Sequence, residues 1–416
     1  MSVSNTSQDQ DKQEPQLSWR DWVLLPVVAL TTILLIAVST ELTARALFPA
    51  SEVGFDNCFV SDDLSGNASV KPDSVCSERI PESRYSAEYR FNHQGNRDDA
   101  NLEPKQPGSY RIVMIGSSFA MGLFVPRDMT FAALLPAQLS QRTDRKVELY
   151  NQAYGGKYRG GPFPVESSVQ RFNQVLSAQP DMILWIITPM DIENSESEAS
   201  DSAPAQKSLS QLNELKSSRS AWGKLWNALR QGTLADKLKS RWEDTSTSLM
   251  VKHFLIANQS QGQYTESYLK NDTDAQFLKT QPSANWLHYM RTFQTQAAEF
   301  EKLANSAGIP FVAVLLPNRA QAAMLSMGSW PQGYDPCKLD DELRRIIVSD
   351  DGIYVDILPN FRSVPSAEQY YFPVDGHLDA DGHAMVSRML AKELTSGVVP
   401  SLRAAPRSGS TAEQGQ

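Results

Sequence analysis

The chain has 416 residues, 41% hydrophobic and 21% charged, an ordinary composition for a globular protein. That length leaves room for more than one compact unit. The formal net charge is −9 and no long Lys/Arg run occurs. This balance excludes a general nucleic-acid binder, whose surface has to attract phosphates.

Residues 1–21 are polar and read as a disordered tail. Residues 22–39 (WVLLPVVALTTILLIAVS) carry no charge. As a helix this run rises about 27 Å, close to the hydrocarbon thickness of a bilayer. A buried core helix or a signal peptide would also give such a run. However, it exceeds the usual signal core, and the tail before it is long and partly acidic. Ala44-Arg45-Ala46 would serve as the cleavage site of a signal. The reading adopted is a transmembrane anchor over 22–40, in which Pro26 is tolerable. Lys12 and Arg20 before the span, against Arg45 after it, point to a cytoplasmic N-terminus.

Residues 41–107 form a juxtamembrane segment with one expected strand near 88–92. Cys58 and Cys76 lie close together in this segment. A bridge between them contributes about 3 kcal/mol on the chain-entropy model and requires an oxidising compartment. Three free thiols are the alternative. The expected location is a single-pass inner-membrane protein with its large C-terminal part in the periplasm or outside the cell.

From residue 108 to 395 the pattern changes. Apolar runs of strand length at 112–115, 147–150, 182–188, 311–316 and 353–357 alternate with helical patterns at 130–140, 161–178, 286–307 and 338–348. This alternation predicts an α/β domain of three layers, α/β/α, around a mostly parallel sheet. Residues 195–284 interrupt it with polar sequence and helical patterns such as 221–229, and read as an insertion or cap. Residues 396–416 read as a frayed tail.

Gly116-Ser117-Ser118-Phe119-Ala120-Met121-Gly122 follows the first core strand directly. Glycines around a serine at a strand end permit a tight turn that exposes the hydroxyl. If a helix starts there, the serine's own N–H helps hold an oxyanion. Far downstream stands Asp375-Gly376-His377. Residues two apart in extended chain share a side, and Gly376 lets the chain bend, so Asp375 reaches Nδ1 of His377. Nε2 is then left to take the serine proton. A helix follows with Met385, Val386, Met389, Leu390 and Leu394 on one face and Gly397 at its end.

Alternatives stay open at this point. Asp375, His377, Asp379, Asp381 and His383 alternate in one short run, as hard ligands of a single metal ion do. No His-Glu-x-x-His accompanies them. An α/β-hydrolase elbow would need glycine two positions after Ser118, where Ala120 stands.

These residues resemble the SGNH (GDSL) esterase family. Gly116-Ser117-Ser118-x-x-x-Gly122 is similar to that family's block I, with Ser117 in place of the aspartate. Asp375-Gly376-His377 is similar to block V, in the Asp-x-His spacing of membrane-linked members that edit or transfer acyl groups on extracellular polysaccharides. Asn92-x-x-Gly95-x-Arg97 has the look of the same proteins. Asn151-Gln152-Ala153-Tyr154-Gly155-Gly156 resembles block II, and 188–191 resembles block III with Met190 where the family has asparagine. The resemblance implies a catalytic triad of Ser118, His377 and Asp375. It also implies an oxyanion hole from the N–H groups of Ser118 and Gly156, with Gly155 as fallback and a further donor from Thr188 or Asn194. No cofactor and no resident metal are implied. The expected partners are an acylated glycan or polysaccharide, the membrane, and envelope polysaccharide assembly proteins. The substitutions at Ser117 and Met190 keep two other readings in play: a glycan-binding module without turnover, and a scaffold docking through the insertion.

Overall fold

The computed structural model describes residues 19–47, 54–61, 68–98, 103–153, 172–193, 242 and 245–405. Helix α1 (Trp19–Leu47) contains the apolar run and continues to Arg45, which pairs with Glu41 one turn earlier. It is the one described helix long and apolar enough to cross a membrane. Within its stretch Trp22–Leu47 an 18-residue window has a mean hydropathy of 2.4, and none of that window is buried, unlike a core helix.

Two small antiparallel hairpins follow, β1 (Phe59–Ser61) with β2 (Ala68–Val70), and β3 (Val75–Glu78) with β4 (Ala87–Arg90). A disulfide joins Cys58 to Cys76, and both cysteines are buried. Tyr89 and Phe91 carry this hairpin onto the main core.

The main sheet contains β5 (Tyr110–Gly116), β6 (Val147–Asn151), β7 (Met182–Ile187), β8 (Phe311–Leu315) and β9 (Ile353–Tyr354) in the order β6-β5-β7-β8-β9, all parallel. After β5 come the single turn α2 (Ser118–Met121) and α3 (Phe131–Thr143). Between β6 and β8 lie α4 (Phe172–Ser177), α5 (Pro189–Glu193), α6 (Ser246–Ala257), α7 (Gln261–Leu269) and α8 (Ala284–Ser306). Beyond β8 stand α9 (Arg319–Met327), α10 (Lys338–Ser349) and α11 (Ala380–Glu393). The chain steps from β5 to β6 on one side, then crosses back to β7 on the other. Right-handed crossovers in opposite directions put helices on both faces of the sheet. Accordingly α3 packs with α11, and α8 packs with α10. The result is the three-layer α/β/α class, with its switch point between β5 and β7, where such sheets bind ligands.

The strands are continuous apolar runs because both faces are covered: every residue of β5, β7 and β8 is buried. Helix α8 turns Trp286, Met290, Phe293, Ala297, Phe300 and Ala304 inward at helical spacing. Phe293 and Phe300 meet Trp185 of β7 with ring centroids 5.3 and 6.0 Å apart.

Several boundaries differ from the sequence reading for identifiable reasons. Strand β5 starts two residues earlier because Arg111 is buried with its charge matched: it bonds Glu148 at 3.0 Å and the Ala178 carbonyl at 2.8 Å. Thr130 and Ser283, taken as helix or loop, are side-chain N-caps of α3 and α8. The run at 353–357 pairs for two residues only, after which Asp356 turns to receive Arg344. Residues 396–405, expected to begin a frayed tail, instead pack back. Val399 and Leu402 are fully buried, and Ser401 bonds the Tyr110 hydroxyl at 2.6 Å. The patterns at 221–229 and most of 161–178 lie outside the described residues.

Candidate active site

Strand β5 ends in Gly116, whose φ of +150° suits glycine, and a Cβ there would lie 2.6 Å from the Ile186 carbonyl oxygen of β7. The chain can therefore turn tightly into α2, which Ser118 opens. As the first residue of a helix its N–H has no acceptor within that helix. Gly122 closes the turn in the left-handed region, against Thr130.

Side chains from three segments fix this turn. Asn151 donates to the Ala120 carbonyl at 3.0 Å. Arg97, 3% exposed, donates to the carbonyls of Met121, Gly122 and Val125 at 2.9, 2.5 and 2.7 Å, and lies over the Tyr89 ring. The Tyr89 hydroxyl accepts from the Phe124 N–H at 2.7 Å, holding Phe124 at a left-handed φ of 64°. The Asn92-x-x-Gly95-x-Arg97 pattern thus acquires a physical meaning. Asn92 accepts from the N–H groups of Gln94 and Asn96, Gly95 takes φ +74°, and the turn aims Arg97 at the serine loop.

On the opposite side, Phe372–His377 make a tight loop in which Phe372 donates to the His377 carbonyl and Gly376 adopts φ +88°. Inside it, His377 Nδ1 lies 2.5 Å from Asp375 Oδ1, and His377 Nε2 lies 2.7 Å from Ser118 Oγ. Phe119 and Phe124 pack on the imidazole, with centroids 4.4 and 5.6 Å away. The structure therefore brings Ser118, His377 and Asp375 into one hydrogen-bonded series across 259 residues of sequence. Such a series can move a proton from hydroxyl to imidazole while the carboxylate fixes tautomer and orientation.

Residues that the sequence reading did not single out hold the acid loop. Glu82, 5% exposed on its side chain, accepts from Val374 N–H at 2.9 Å and from Asp375 N–H at 2.9 Å. It also meets His253 of α6 at 3.0 Å. Arg319 at the start of α9 donates to the Pro373 carbonyl at 2.6 Å and stacks on Tyr264 of α7 at 3.9 Å. Nothing local in sequence marks Glu82, which sits in a polar stretch and acts through a partner 293 positions away.

Ser117, beside Ser118, bonds an aspartate that follows β7. Asp191 is buried, accepts from Thr188 N–H at 2.8 Å and Thr188 Oγ1 at 3.0 Å, and is hydrogen-bonded by Ser117. Burial pushes its carboxyl up to about 6, although these bonds pull the other way. Thr188 is thereby committed to Asp191 and is not the spare oxyanion donor that the sequence suggested. Met190 is 52% exposed and lines the cleft. Tyr154, Gly155, Gly156 and Asn194 lie outside the described residues.

The run from Asp375 to His383 does not converge as a metal site. Asp379 caps α11 by accepting from Gly382 N–H at 2.8 Å, and His383 is buried against Phe131, accepting its N–H at 3.2 Å. Burial lowers the His383 imidazole to about 3, so it stays neutral. Among the described residues no group of three His, Cys, Asp or Glu side chains lies close enough to hold a metal ion.

A cleft of about 520 Å³ opens over His377 and Asp375. Its far wall comes from the insertion: Ile256 of α6, then Tyr264, Tyr268, Asn271 and Asp274. Glu193 also lines it, and burial, with Asp274 nearby, raises its carboxyl to about 7. The described part of the insertion thus forms one wall of the cleft.

No family model matches the sequence, and no curated protein matches it. Among solved structures, the lipase/acylhydrolase from Enterococcus faecalis is similar at 12% identity, over 72% of this chain and 100% of that one, with a TM-score of 0.35. TesA is similar at 10% identity, over 69% of this chain and 98% of that one, with a TM-score of 0.33.

Proposed function

We propose that the chain is a serine-dependent acyl esterase or acyltransferase of the SGNH type, with Ser118 as nucleophile, His377 as base and Asp375 as the group that orients it. The observation that carries this reading is the series Ser118 Oγ–His377 Nε2–Asp375, at 2.7 and 2.5 Å, opening into the cleft. His377 takes the hydroxyl proton as Ser118 Oγ bonds to the acyl carbon. The oxyanion is held by the N–H of Ser118 and, by resemblance, of Gly156. Collapse expels the alcohol, protonated by His377, and leaves an acyl-Ser118 ester. Water or a sugar hydroxyl then gives its proton to His377, attacks that ester and restores the serine.

For substrate we propose acyl, above all acetyl, esters of a cell-envelope or secreted polysaccharide, met outside the cytoplasm by a domain anchored through α1. The Cys58–Cys76 bridge supports an oxidising compartment. The hydroxyls and amides of Tyr264, Tyr268, Asn271 and Asn318 around the cleft suit a hydroxyl-rich ligand. Met190, where the resemblance calls for asparagine, favours one second reading, a glycan-binding module without turnover. Incubating the full chain with acetylated oligosaccharide and an unacetylated acceptor separates the readings. Release of acetate or its appearance on the acceptor, abolished in Ser118→Ala, supports the enzyme. Saturable glycan binding unchanged in Ser118→Ala, with no ester consumed, supports the module.

A further inference from the structure

Helix α6 presents three different surfaces. Its N-terminus is held by Glu41 of α1, whose carboxylate accepts from Ser246 N–H at 3.3 Å, Thr247 N–H at 3.0 Å and Thr247 Oγ1 at 2.8 Å. Its inner side carries His253 to Glu82 and Ile256 to the cleft. The third side is apolar and bare. Val251, Phe254 and Leu255 are 40%, 54% and 63% exposed, and their spacing of three and four residues puts them in one stripe. Trp242, just ahead of the helix, is 51% exposed. Clustered large apolar side chains facing out mark an interaction surface.

The occupant follows from where the helix begins. The uncharged part of α1 ends at Thr40, and the next residue, Glu41, is the one that caps α6. The apolar stretch of α1 is wholly unburied and of spanning length. Helix α6 therefore starts at the level where α1 leaves the hydrocarbon, and the two helices pack together there. Its one formally charged side chain is Lys252. We infer that α6 lies in the interfacial layer of the same bilayer, with Val251, Phe254 and Leu255 set into the lipid. This inference rests on α1 spanning the membrane and does not depend on Ser118 being reactive. Because Ile256 of the same helix lines the cleft, the bilayer then holds the rim of the site at its surface.

The test uses the full chain in phosphatidylcholine nanodiscs, with Cys337→Ser removing the free thiol. Phe254→Cys and, separately, Leu255→Cys are labelled with an environment-sensitive NBD dye. Glu266→Cys on α7, at a side chain 72% exposed, is the control. The inference predicts blue-shifted emission at 254 and 255, lost when doxyl-labelled lipid is included, and unshifted, unquenched emission at 266. Water-like emission at 254 and 255 that ignores doxyl lipid overturns it. So does a chain that fails to co-purify with nanodiscs, since the anchor beneath the inference would then be gone.

Discussion

Glu82→Ala removes a buried acceptor that holds the acid loop without touching the reacting atoms. Two backbone N–H groups, of Val374 and Asp375, lose a charged acceptor at 2.9 Å each. A hydrogen bond to a charged group contributes about 1.5–3 kcal/mol net. Asp375 is exposed enough for water to replace part of its share. The loop should lose about 2–4 kcal/mol, enough to lower the population of the aligned series by roughly one and a half to three orders of magnitude where the loop is marginal. Glu82→Gln, which keeps one carbonyl acceptor, should fall between wild type and alanine. His253→Ala leaves both loop bonds in place and should cost only a few-fold. The assay is the initial rate of Ser118 labelling by a fluorophosphonate on the full chain, paired with amide exchange of the peptide spanning 371–378. Wild-type labelling and unchanged exchange in Glu82→Ala would mean that Glu82 does not hold the acid loop.

Gly116→Ala should destabilise the fold by about 2–4 kcal/mol and abolish labelling, because the new methyl meets the Ile186 carbonyl and the Ala120 side chain; chemical denaturation of both proteins checks this. Met190→Asn places an amide on the cleft wall, where the proposed esterase would use a further oxyanion donor. It should raise ester turnover about ten-fold or more, and no change would mean the site is complete without it. Glu301 is fully buried with both carboxylate oxygens unpartnered, and burial, then Asp350 and Asp351, raise its carboxyl to about 8. With a folded value above the unfolded one, the folded state holds the extra proton between the two, so stability falls as pH rises through that window. Glu301→Gln should therefore stabilise the protein by about 2–3 kcal/mol at pH 8 and by much less at pH 5, read from urea midpoints. His383 works in the opposite sense. Its folded value near 3 lies below the unfolded one, so stability is lost as pH falls from about 6.5 toward 3.

The sheet was legible in the sequence because strands covered on both faces are uninterrupted apolar runs. It was misread where a polar residue sets a strand's end, as Arg111 extends β5 by pairing with Glu148 and Asp356 leaves the β9 run to receive Arg344. The Ser118–His377–Asp375 series was legible because two short glycine-flanked motifs carry it. What supports that series was not. Glu82 and Arg319 act through contacts that only the folded chain creates and read in sequence as unremarked charges, and the block III match at 188–191 gave no sign that Asp191 bonds Thr188 and Ser117. Arg97 sat in a familiar pattern, but its task of collecting the carbonyls behind Ser118 emerges only from the turn geometry. Residues 195–284 read as a polar insertion or cap without a buried strand because the apolar side chains of α6 divide between the cleft and an outward stripe, which leaves no core-facing periodicity.

The most direct measurement of the central claim is active-serine labelling of the full chain by a fluorophosphonate probe, beside Ser118→Ala and His377→Ala. The expected result is a labelled wild type, with the adduct on Ser118, and no label on either variant. Label persisting in Ser118→Ala, or none on a folded wild type, would contradict it.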